Sequence, residues 1–240
     1  MNKVEQFYDK NGKWEFNEDV ALEFENMLTK SIPQYEVMRN LIYDIGCGFI
    51  SLGDKTAILD LGCSDGLNLK KFVSKYGATR TFKGIDISEP MLQLAKTRFE
   101  GMINAGVVEI CNMDLRYEFP MGSFSLIMSI LTLQFIPIEY RQFILQNVYD
   151  NLKNGSAFIM VEKVLGNTYD INKILVDNYY KLKNKNGYSY DEINRKRQSL
   201  EGVLVPMTSE WNKDMLKQAG FKKVDTFWRY LNFEGYLAIK

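Results

Sequence analysis

The chain has 240 residues, a length typical of one domain, or of one domain with a lid, and short for two independent units. Lysine and arginine together number 30, as do aspartate and glutamate, so no net charge attracts nucleic acid or an anionic membrane. Histidine is absent and the three cysteines (Cys47, Cys63 and Cys111) are scattered, which excludes a Ser-His-Asp triad, a histidine-ligated metal, a zinc site and a disulfide framework.

Residues 1–17 are a polar and aromatic arm that contains Phe7, Tyr8, Trp14 and Phe16. Their irregular spacing predicts no regular element, and two interpretations stay open: a frayed arm with aromatics packed on the surface, or a flap over a binding site. Residues 1–30 are charged throughout, without a signal peptide or a membrane-spanning run. We therefore expect a cytoplasmic protein.

Two helices are predicted before the first strand. Asn17 is a typical cap for a helix that begins at Glu18, and Pro33 is typical of the first turn of a second helix. Tyr35, close to that start, is by itself more typical of a packed aromatic than of a ligand contact.

A short apolar run, Ala57 to Leu61, predicts a strand buried on both faces of a parallel sheet. It stops at two glycines four residues apart, Gly62 and Gly66. Residues 67–73 then place apolar side chains at helical spacing. Strand, glycine turn and helix form the layout of a nucleotide-binding crossover, in which glycine lets the backbone approach a ligand.

The second predicted strand, Thr81 to Ile87, ends beside an acid. Asp86 lies 24 residues after Gly62. In nucleotide-binding crossovers an acid about 20 residues after the turn accepts hydrogen bonds from ribose hydroxyls. The phosphate-binding pattern G-x-G-x-x-G is absent, because the turn reads G-C-S-D-G. The turn therefore favours a nucleoside without phosphates, such as S-adenosylmethionine (SAM).

An earlier glycine pair, Gly46 and Gly48, follows Asp44 in the D-x-G-x-G arrangement common in SAM enzymes. No crossover helix follows Gly48, and no acid ends a strand at the required distance. We therefore interpret these glycines as the end of the second helix, where glycine is a common cap.

The strand–helix alternation continues to about residue 163. Ser88 and Pro90 start a helix, and a third strand (107–111) is followed closely by Asp114. Strand four (125–130) and strand five (157–161) flank a helix at about 138–151. Ligands of such sheets bind outside the carboxyl ends of the strands, which is where Asp114, Ser129 and Glu162 fall.

Residues 166–205 interrupt the alternation with two predicted helices, 169–185 and 190–200. An insertion at this position can fold over the cleft and supply acceptor specificity. The run Arg195-Lys196-Arg197 is too short, in a chain without net charge, to indicate nucleic-acid binding. A last helix capped by Thr208 and a hairpin-like pair of strands complete the chain.

Three features together resemble the class I SAM-dependent methyltransferases: Gly62-Cys63-Ser64 after the first strand, Asp86 after the second and Asp114 after the third. The resemblance implies an α/β, Rossmann-like fold with a seven-stranded, mostly parallel sheet, helices on both faces, an antiparallel last strand and a helical lid insertion after strand five. It implies a single SAM-binding methyltransferase domain over residues 1–240, in which 1–55 form the N-terminal arm and helices and 166–205 the lid.

From about residue 16 to its end, the chain is similar to the carboxy-SAM synthase family, which makes carboxy-SAM from SAM and prephenate for modification of the tRNA wobble uridine. The segments that carry this similarity are Ser31-Ile32-Pro33-Gln34-Tyr35, Asp60-Leu61-Gly62-Cys63-Ser64, Thr132-Leu133-Gln134-Phe135, Glu162-Lys163, Gly187-Tyr188-Ser189, Glu192-Ile193, Lys196-Arg197, Leu200-Glu201 and Asn232-Phe233.

The resemblance implies a set of cofactor contacts: Tyr35, Gly62, Cys63, Ser64, Asp86, Ile87, Asp114 and Leu115. Two more residues complete the predicted set: Asp60, which is in register with Asp86 and Asp114, and Ser129, at the sheet edge. Arg197 would reach the carboxylate end of the cofactor, within one chain or across the interface of a homodimer, because its guanidinium fork matches a carboxylate.

Two positions depart from the synthase pattern: Ile130, where the family has an asparagine that faces the methionine moiety, and Asp65, where it has an apolar residue. Isoleucine cannot donate that hydrogen bond, and Asp65 adds negative charge beside a carboxylated ligand. The leading hypothesis is therefore a SAM-dependent methyltransferase for a small-molecule acceptor, which acts by in-line displacement at the sulfonium. Carboxy-SAM synthase, with carboxy-SAM in the site, is the alternative.

Without histidine, the candidate catalytic groups are Tyr188, Arg197 and Glu162, and Tyr188 and Arg197 are also the predicted substrate contacts. A non-catalytic SAM-binding subunit and an RNA methyltransferase rank below both enzymes. We expect a small-molecule substrate and a possible homodimer, and no metal, membrane or nucleic-acid partner.

Overall fold

The computed structural model describes residues 12–51 and 56–240. Its strands are β1 (Ala57–Leu61), β2 (Phe82–Asp86), β3 (Val108–Asn112), β4 (Phe124–Ile130), β5 (Leu152–Leu165), β6 (Met207–Thr208), β7 (Lys223–Tyr230) and β8 (Phe233–Ile239). Its helices are α1 (Glu18–Ser31), α2 (Tyr35–Cys47), α3 (Leu67–Tyr76), α4 (Glu89–Arg98), α5 (Glu100–Asn104), α6 (Ile138–Asn151), α7 (Tyr169–Lys185), α8 (Tyr190–Ser199) and α9 (Ser209–Gln218).

In the described residues, seven strands lie side by side in the order β3-β2-β1-β4-β5-β8-β7, and the short β6 pairs with the end of β5. The pairs among β1 to β5 are parallel, whereas β8 is antiparallel to both β5 and β7. The predicted sheet, mostly parallel with an antiparallel last strand, is confirmed. The lid helices α7 and α8 follow β5, also as predicted.

Both faces of the sheet are buried, as the apolar strands predict. Along β5, Ala157, Ile159 and Val161 pack on the face covered by α2 and α3. Phe158 and Met160 point to the opposite face, which α6 and α9 cover. Strands between two helical layers need apolar side chains at every position, which is why these segments are continuous apolar runs.

The predicted helix starts are mostly correct. Asn17 Oδ1 accepts a hydrogen bond from the Val20 N–H at 3.0 Å, and the Ser88 side chain caps α4. The second helix is the exception, because it begins at Tyr35 and not at Pro33. Gln34 precedes it in the left-handed region (φ 52°, ψ 35°), which separates the proline from the helix.

The glycine pair at the end of α2 has a packing role. A Cβ on Gly46 would lie 2.8 Å from the Phe72 ring and 2.9 Å from the Leu126 side chain. Gly46 therefore lets α2 approach α3 and β4 closely, and Gly48 caps the helix. The interpretation of this pair as a helix end, not a cofactor turn, is confirmed.

Candidate active site

A cavity of about 430 Å³ lies at the carboxyl ends of β1 to β4. That volume is within the range of about 300–1,000 Å³ typical of small-molecule sites. Eight of the ten predicted cofactor contacts line it: Tyr35, Gly62, Cys63, Ser64, Asp86, Ile87, Asp114 and Leu115. The parallel strands bring all of these residues except Tyr35, the first residue of α2, together because the carboxyl ends of the strands share one edge of the sheet.

The turn after β1 requires glycine at its first position. Gly62 has a φ of 72°, and a Cβ there would lie 2.3 Å from the Thr132 side chain. The N–H groups of Gly62 and Cys63 both donate to the Ile85 carbonyl at 2.8 Å, which fixes the turn to β2. Burial raises the pKa of the Cys63 thiol, so this residue is a neutral part of the wall.

Asp86 fixes the other side of the same turn. Its two carboxylate oxygens accept hydrogen bonds from the N–H groups of Ser64 and Ser88, both at 2.9 Å. Burial raises the pKa of Asp86, and these backbone donors counteract the rise. Each carboxylate oxygen can accept a second hydrogen bond, which is what a ribose diol would use.

Asp114, after β3, is held by a neighbouring arginine. Arg116 Nε lies 2.9 and 3.0 Å from the two Asp114 oxygens, and Arg116 Nη2 lies 2.5 Å from Oδ2. This guanidinium holds the pKa of Asp114 below its usual value. The cavity wall therefore carries an ionised acceptor that is oriented in advance, which suits the amino group of an adenine.

The remaining two predicted contacts, Asp60 and Ser129, lie beneath the turn and do not line the cavity. Both are fully buried on the adjacent strands β1 and β4. Within the described residues, neither the Asp60 carboxylate nor the Ser129 hydroxyl has a hydrogen-bond partner. Burial, with the charges of Asp86 and Asp65, raises the pKa of Asp60 well above its usual range and favours its neutral form.

The negative charge of Asp65 is balanced inside the protein. Arg98 Nη2 lies 2.6 Å from Asp65 Oδ2, and Arg98 Nε donates to the Asp65 carbonyl at 2.8 Å. Asp65 lines the cavity, as its position in the turn predicts. The excess negative charge expected there is offset by this ion pair, so Asp65 argues only weakly against a carboxylated ligand.

Glu162 acts on the loop that follows β4. Its carboxylate accepts hydrogen bonds from the N–H groups of Leu133 at 3.0 Å and Gln134 at 2.7 Å. Burial raises the pKa of Glu162 to about 8. The side chain is outside the cavity lining, where it positions the backbone beside Thr132 and so the loop that faces Gly62.

Tyr188 and Arg197 also lie outside the cavity lining. The Tyr188 hydroxyl is 3.5 Å from the Ser31 hydroxyl, which donates to it. Arg197 is exposed and pairs with Glu201 at 2.8 Å. The basic run at 195–197 presents no continuous surface, because Arg195 and Arg197 are exposed whereas Lys196 turns inward to the cavity.

The described part of the N-terminal arm covers the cavity. Trp14 and Phe16 line it, together with Phe24, Met27 and Leu28 of α1. The Trp14 N–H donates to the Ser199 carbonyl of α8 at 3.1 Å, and Ser88 Oγ donates to the Phe16 carbonyl at 2.7 Å. These contacts favour the flap over the frayed arm. Phe7 and Tyr8 lie outside the described residues.

The sequence analysis missed two lysines of the lining, Lys163 and Lys196. A signal for Lys196 was present. It lies three residues after Ile193 and four before Leu200, so all three share one helix face, and that face packs inward. Lys163 follows Glu162 near the carboxyl end of β5, on the edge where ligands of such sheets bind.

Residues 58–155 match a family model described as a methyltransferase domain. The chain is 37% identical to the carboxy-S-adenosyl-L-methionine synthase of Methylococcus capsulatus over 226 residues, which cover 94% of this chain and 93% of that protein. With the synthase of Nautilia profundicola it shares 39% identity over 229 residues, 95% of each chain.

Among solved structures, the chain is similar to phosphoethanolamine N-methyltransferase 2 of Haemonchus contortus in complex with S-adenosyl-L-methionine. The TM-score is 0.66 at 14% identity, over 94% of this chain and 57% of that one, which supports the fold alone. In the described ranges, no helix has the length and apolar character that a membrane crossing requires. The chain thus has the class I methyltransferase fold and belongs to the carboxy-S-adenosyl-L-methionine synthase family of SAM-dependent transferases.

Proposed function

We propose that this protein is a carboxy-SAM synthase, which converts the sulfonium methyl group of SAM into a carboxymethyl group. The observation that carries the proposal is the similarity to the synthases over 94–95% of the chain. The methyltransferase model, in contrast, matches only residues 58–155. The alternative of the sequence analysis is therefore better supported than its leading hypothesis.

The cavity fits SAM in its size and in the groups along its wall. Asp86 offers carboxylate oxygens for the ribose, Asp114 offers an acceptor for the adenine, and the turn from Gly62 to Ser64 lines the same cavity. SAM supplies a methyl group activated by its positive sulfur. The protein positions the reactants and shelters them from water. Trp14 and Phe16, which line the cavity, provide the shelter.

With prephenate as the carboxyl donor, the reaction balances. Carboxy-SAM is SAM plus one carbon dioxide, and prephenate that loses carbon dioxide and water becomes phenylpyruvate. The carboxyl carbon leaves prephenate and bonds to the former methyl carbon, whose displaced proton leaves with the ring hydroxyl as water. SAM and prephenate thus give carboxy-SAM, phenylpyruvate and water, and no oxidant or reductant is required.

Arg197 enters this proposal through a second copy of the chain. Its side chain is exposed, pairs with Glu201 at 2.8 Å and lies outside the lining of its own cavity. An arginine on that outer face can meet a cofactor carboxylate only in a neighbouring cleft. We therefore retain the homodimer as part of the proposed function.

A methyltransferase for a small-molecule acceptor is the second candidate, and Ile130 favours it. This residue lines the cavity at the end of β4, where the synthase pattern has an asparagine, so the methionine moiety would lack one hydrogen-bond donor. The two candidates differ in what happens to the nucleoside, because methyl transfer leaves S-adenosylhomocysteine whereas carboxyl transfer leaves carboxy-SAM.

The deciding experiment is mass spectrometry of the nucleoside after incubation of the protein with SAM and prephenate. We expect a species heavier than SAM by one carbon dioxide, formed only when prephenate and intact protein are both present. Unchanged SAM under these conditions contradicts the proposal. Formation of S-adenosylhomocysteine with an added acceptor would favour the methyltransferase.

A further inference from the structure

Three lysines from three elements converge at the end of the cleft beside the lid. Lys163 lies two residues before the end of β5 and Lys183 lies on α7. Their ammonium nitrogens are 5.2 and 5.6 Å from the centre of the Tyr179 ring. Lys196, on α8, lies 4.1 Å from the centre of the Trp14 ring. Lys163, Lys196 and Tyr179 line the cavity, whereas Lys183 is outside the lining, over the rings of Tyr179 and Tyr188.

No carboxylate of the described residues forms an ion pair with this cluster. The ion pairs found among the described residues include none of the three lysines. Glu192 is the acid that acts on Lys183 through space, but its carboxylate already accepts from the Ser189 N–H and hydroxyl at 2.8 Å. Aromatic faces hold the ammonium groups in place without cancelling their charge.

The three charges act on one another. Burial lowers the pKa of Lys163 and of Lys183 to about 8, and repulsion from Lys163 contributes for Lys183. Burial, with repulsion from Lys183 and Lys163, lowers the pKa of Lys196 to about 7. A protein gains no stability from such an arrangement, and groups perturbed in this way cluster at functional sites. An anion between them would relieve both the repulsion and the loss of hydration.

We propose that Lys163 and Lys196, backed by Lys183, form an anion subsite that binds the two carboxylates of a dicarboxylate co-substrate beside SAM. The inference deepens the proposed function and rests on it for the identity of the co-substrate. Two cations in the cavity wall match two carboxylates, and they supply positive charge from within the same chain.

The test is calorimetric titration of prephenate into the protein loaded with S-adenosylhomocysteine, which has no methyl group to react. Near neutral pH, in two buffers of different ionisation enthalpy, we expect binding with net proton uptake, because the dianion restores protons to the lysines. Lys163→Met and Lys196→Met should each weaken binding by roughly tenfold or more and reduce the uptake, since each removes one partner of a charge pair in a desolvated site.

Lys185→Met is the matched control, because it removes the same charge from an exposed position of α7. It should leave prephenate affinity within about twofold of wild type. Retained affinity for S-adenosylhomocysteine verifies that each variant is folded, and Lys163→Arg, which keeps the charge, should retain more binding than Lys163→Met. Binding without proton uptake, or Met variants that bind prephenate like wild type, would overturn the subsite.

Malonate, a dianion that takes no part in the reaction, separates this proposal from the proposed function. If no carboxy-SAM forms but malonate binds with proton uptake that depends on Lys163 and Lys196, the subsite stands and the synthase activity fails. If carboxy-SAM forms while the Met variants keep wild-type prephenate affinity, the activity stands and the subsite fails. Acetate or inorganic phosphate binding more tightly than either dicarboxylate would overturn the assigned ligand class.

Discussion

Replacement of Lys183 by methionine should stabilise the protein near neutral pH. Lys183 is 4% exposed, and its pKa falls from 10.5 to about 8. At about 1.4 kcal/mol for each pKa unit, this difference corresponds to about 3.5 kcal/mol of destabilisation by the charged form. Methionine removes that cost but loses the cation–π contacts with Tyr179 and Tyr188, each of about 0.5–1 kcal/mol. We expect a net gain of about 2 kcal/mol in the free energy of unfolding.

The gain should disappear as pH rises. Below about pH 8, Lys183 is protonated in both the folded and the unfolded chain, so the full cost is present. Between about 8 and 10.5 the unfolded chain binds more protons than the folded one, and wild-type stability increases with pH. Above 10.5 the lysine is neutral in both states and the cost is absent.

Urea unfolding of wild type and Lys183→Met across this pH range measures the effect directly. The difference between the two proteins should shrink from about 2 kcal/mol towards zero as the pH approaches the ordinary lysine pKa. The exposed Lys185→Met serves as the control and should change stability by less than about 0.5 kcal/mol. A destabilised Lys183→Met, or a difference that does not depend on pH, would refute the reasoning.

Three other substitutions test the cofactor site. Asp86→Ala should weaken SAM binding by roughly tenfold to a hundredfold, because a charged hydrogen-bond acceptor is lost; unchanged affinity in equilibrium dialysis would remove Asp86 from the ribose site. Gly62→Ala should abolish SAM binding while circular dichroism still shows the wild-type helix content, since a Cβ would lie 2.3 Å from Thr132; a variant that binds normally would contradict the close approach. Arg197→Ala should keep SAM affinity within about twofold, because the side chain is exposed, but should lose retention of carboxy-SAM in mass spectra of the purified protein; a matching loss of SAM itself would place Arg197 at the nucleoside.

The parts of the fold that could be predicted rest on local signals. A short apolar run marks a strand buried on two faces, and Asn17, Ser88 and Thr208 each cap a helix as expected. The glycine turn and the acids after β2 and β3 line the cavity because the carboxyl ends of parallel strands lie at the same edge of the sheet. The position of each residue relative to the end of its own strand was therefore enough to place it at the cavity.

The parts that could not be predicted depend on partners distant in sequence. Asp65 meets Arg98 across 33 positions, and Glu162 binds backbone donors at Leu133 and Gln134, which no local pattern announces. Which of the three basic side chains at 195–197 is exposed and which points inward depends on how α8 packs. The helix period places Lys196 on the same face as Ile193 and Leu200, a signal that the sequence analysis did not use.

The loop after β4 contacts both the turn at Gly62 and the backbone of Lys163. Glu162 accepts from the Gln134 N–H, and the Gln134 side chain in turn accepts from the Lys163 N–H at 2.9 Å. At its other end the loop places Thr132 against Gly62. We therefore expect a displacement at either end to reach the other and to couple SAM binding to binding of the proposed dicarboxylate. If bound SAM changes the affinity for the dicarboxylate by some factor, the bound dicarboxylate must change the affinity for SAM by the same factor. The order in which the two bind therefore cannot change the total free energy of the ternary complex.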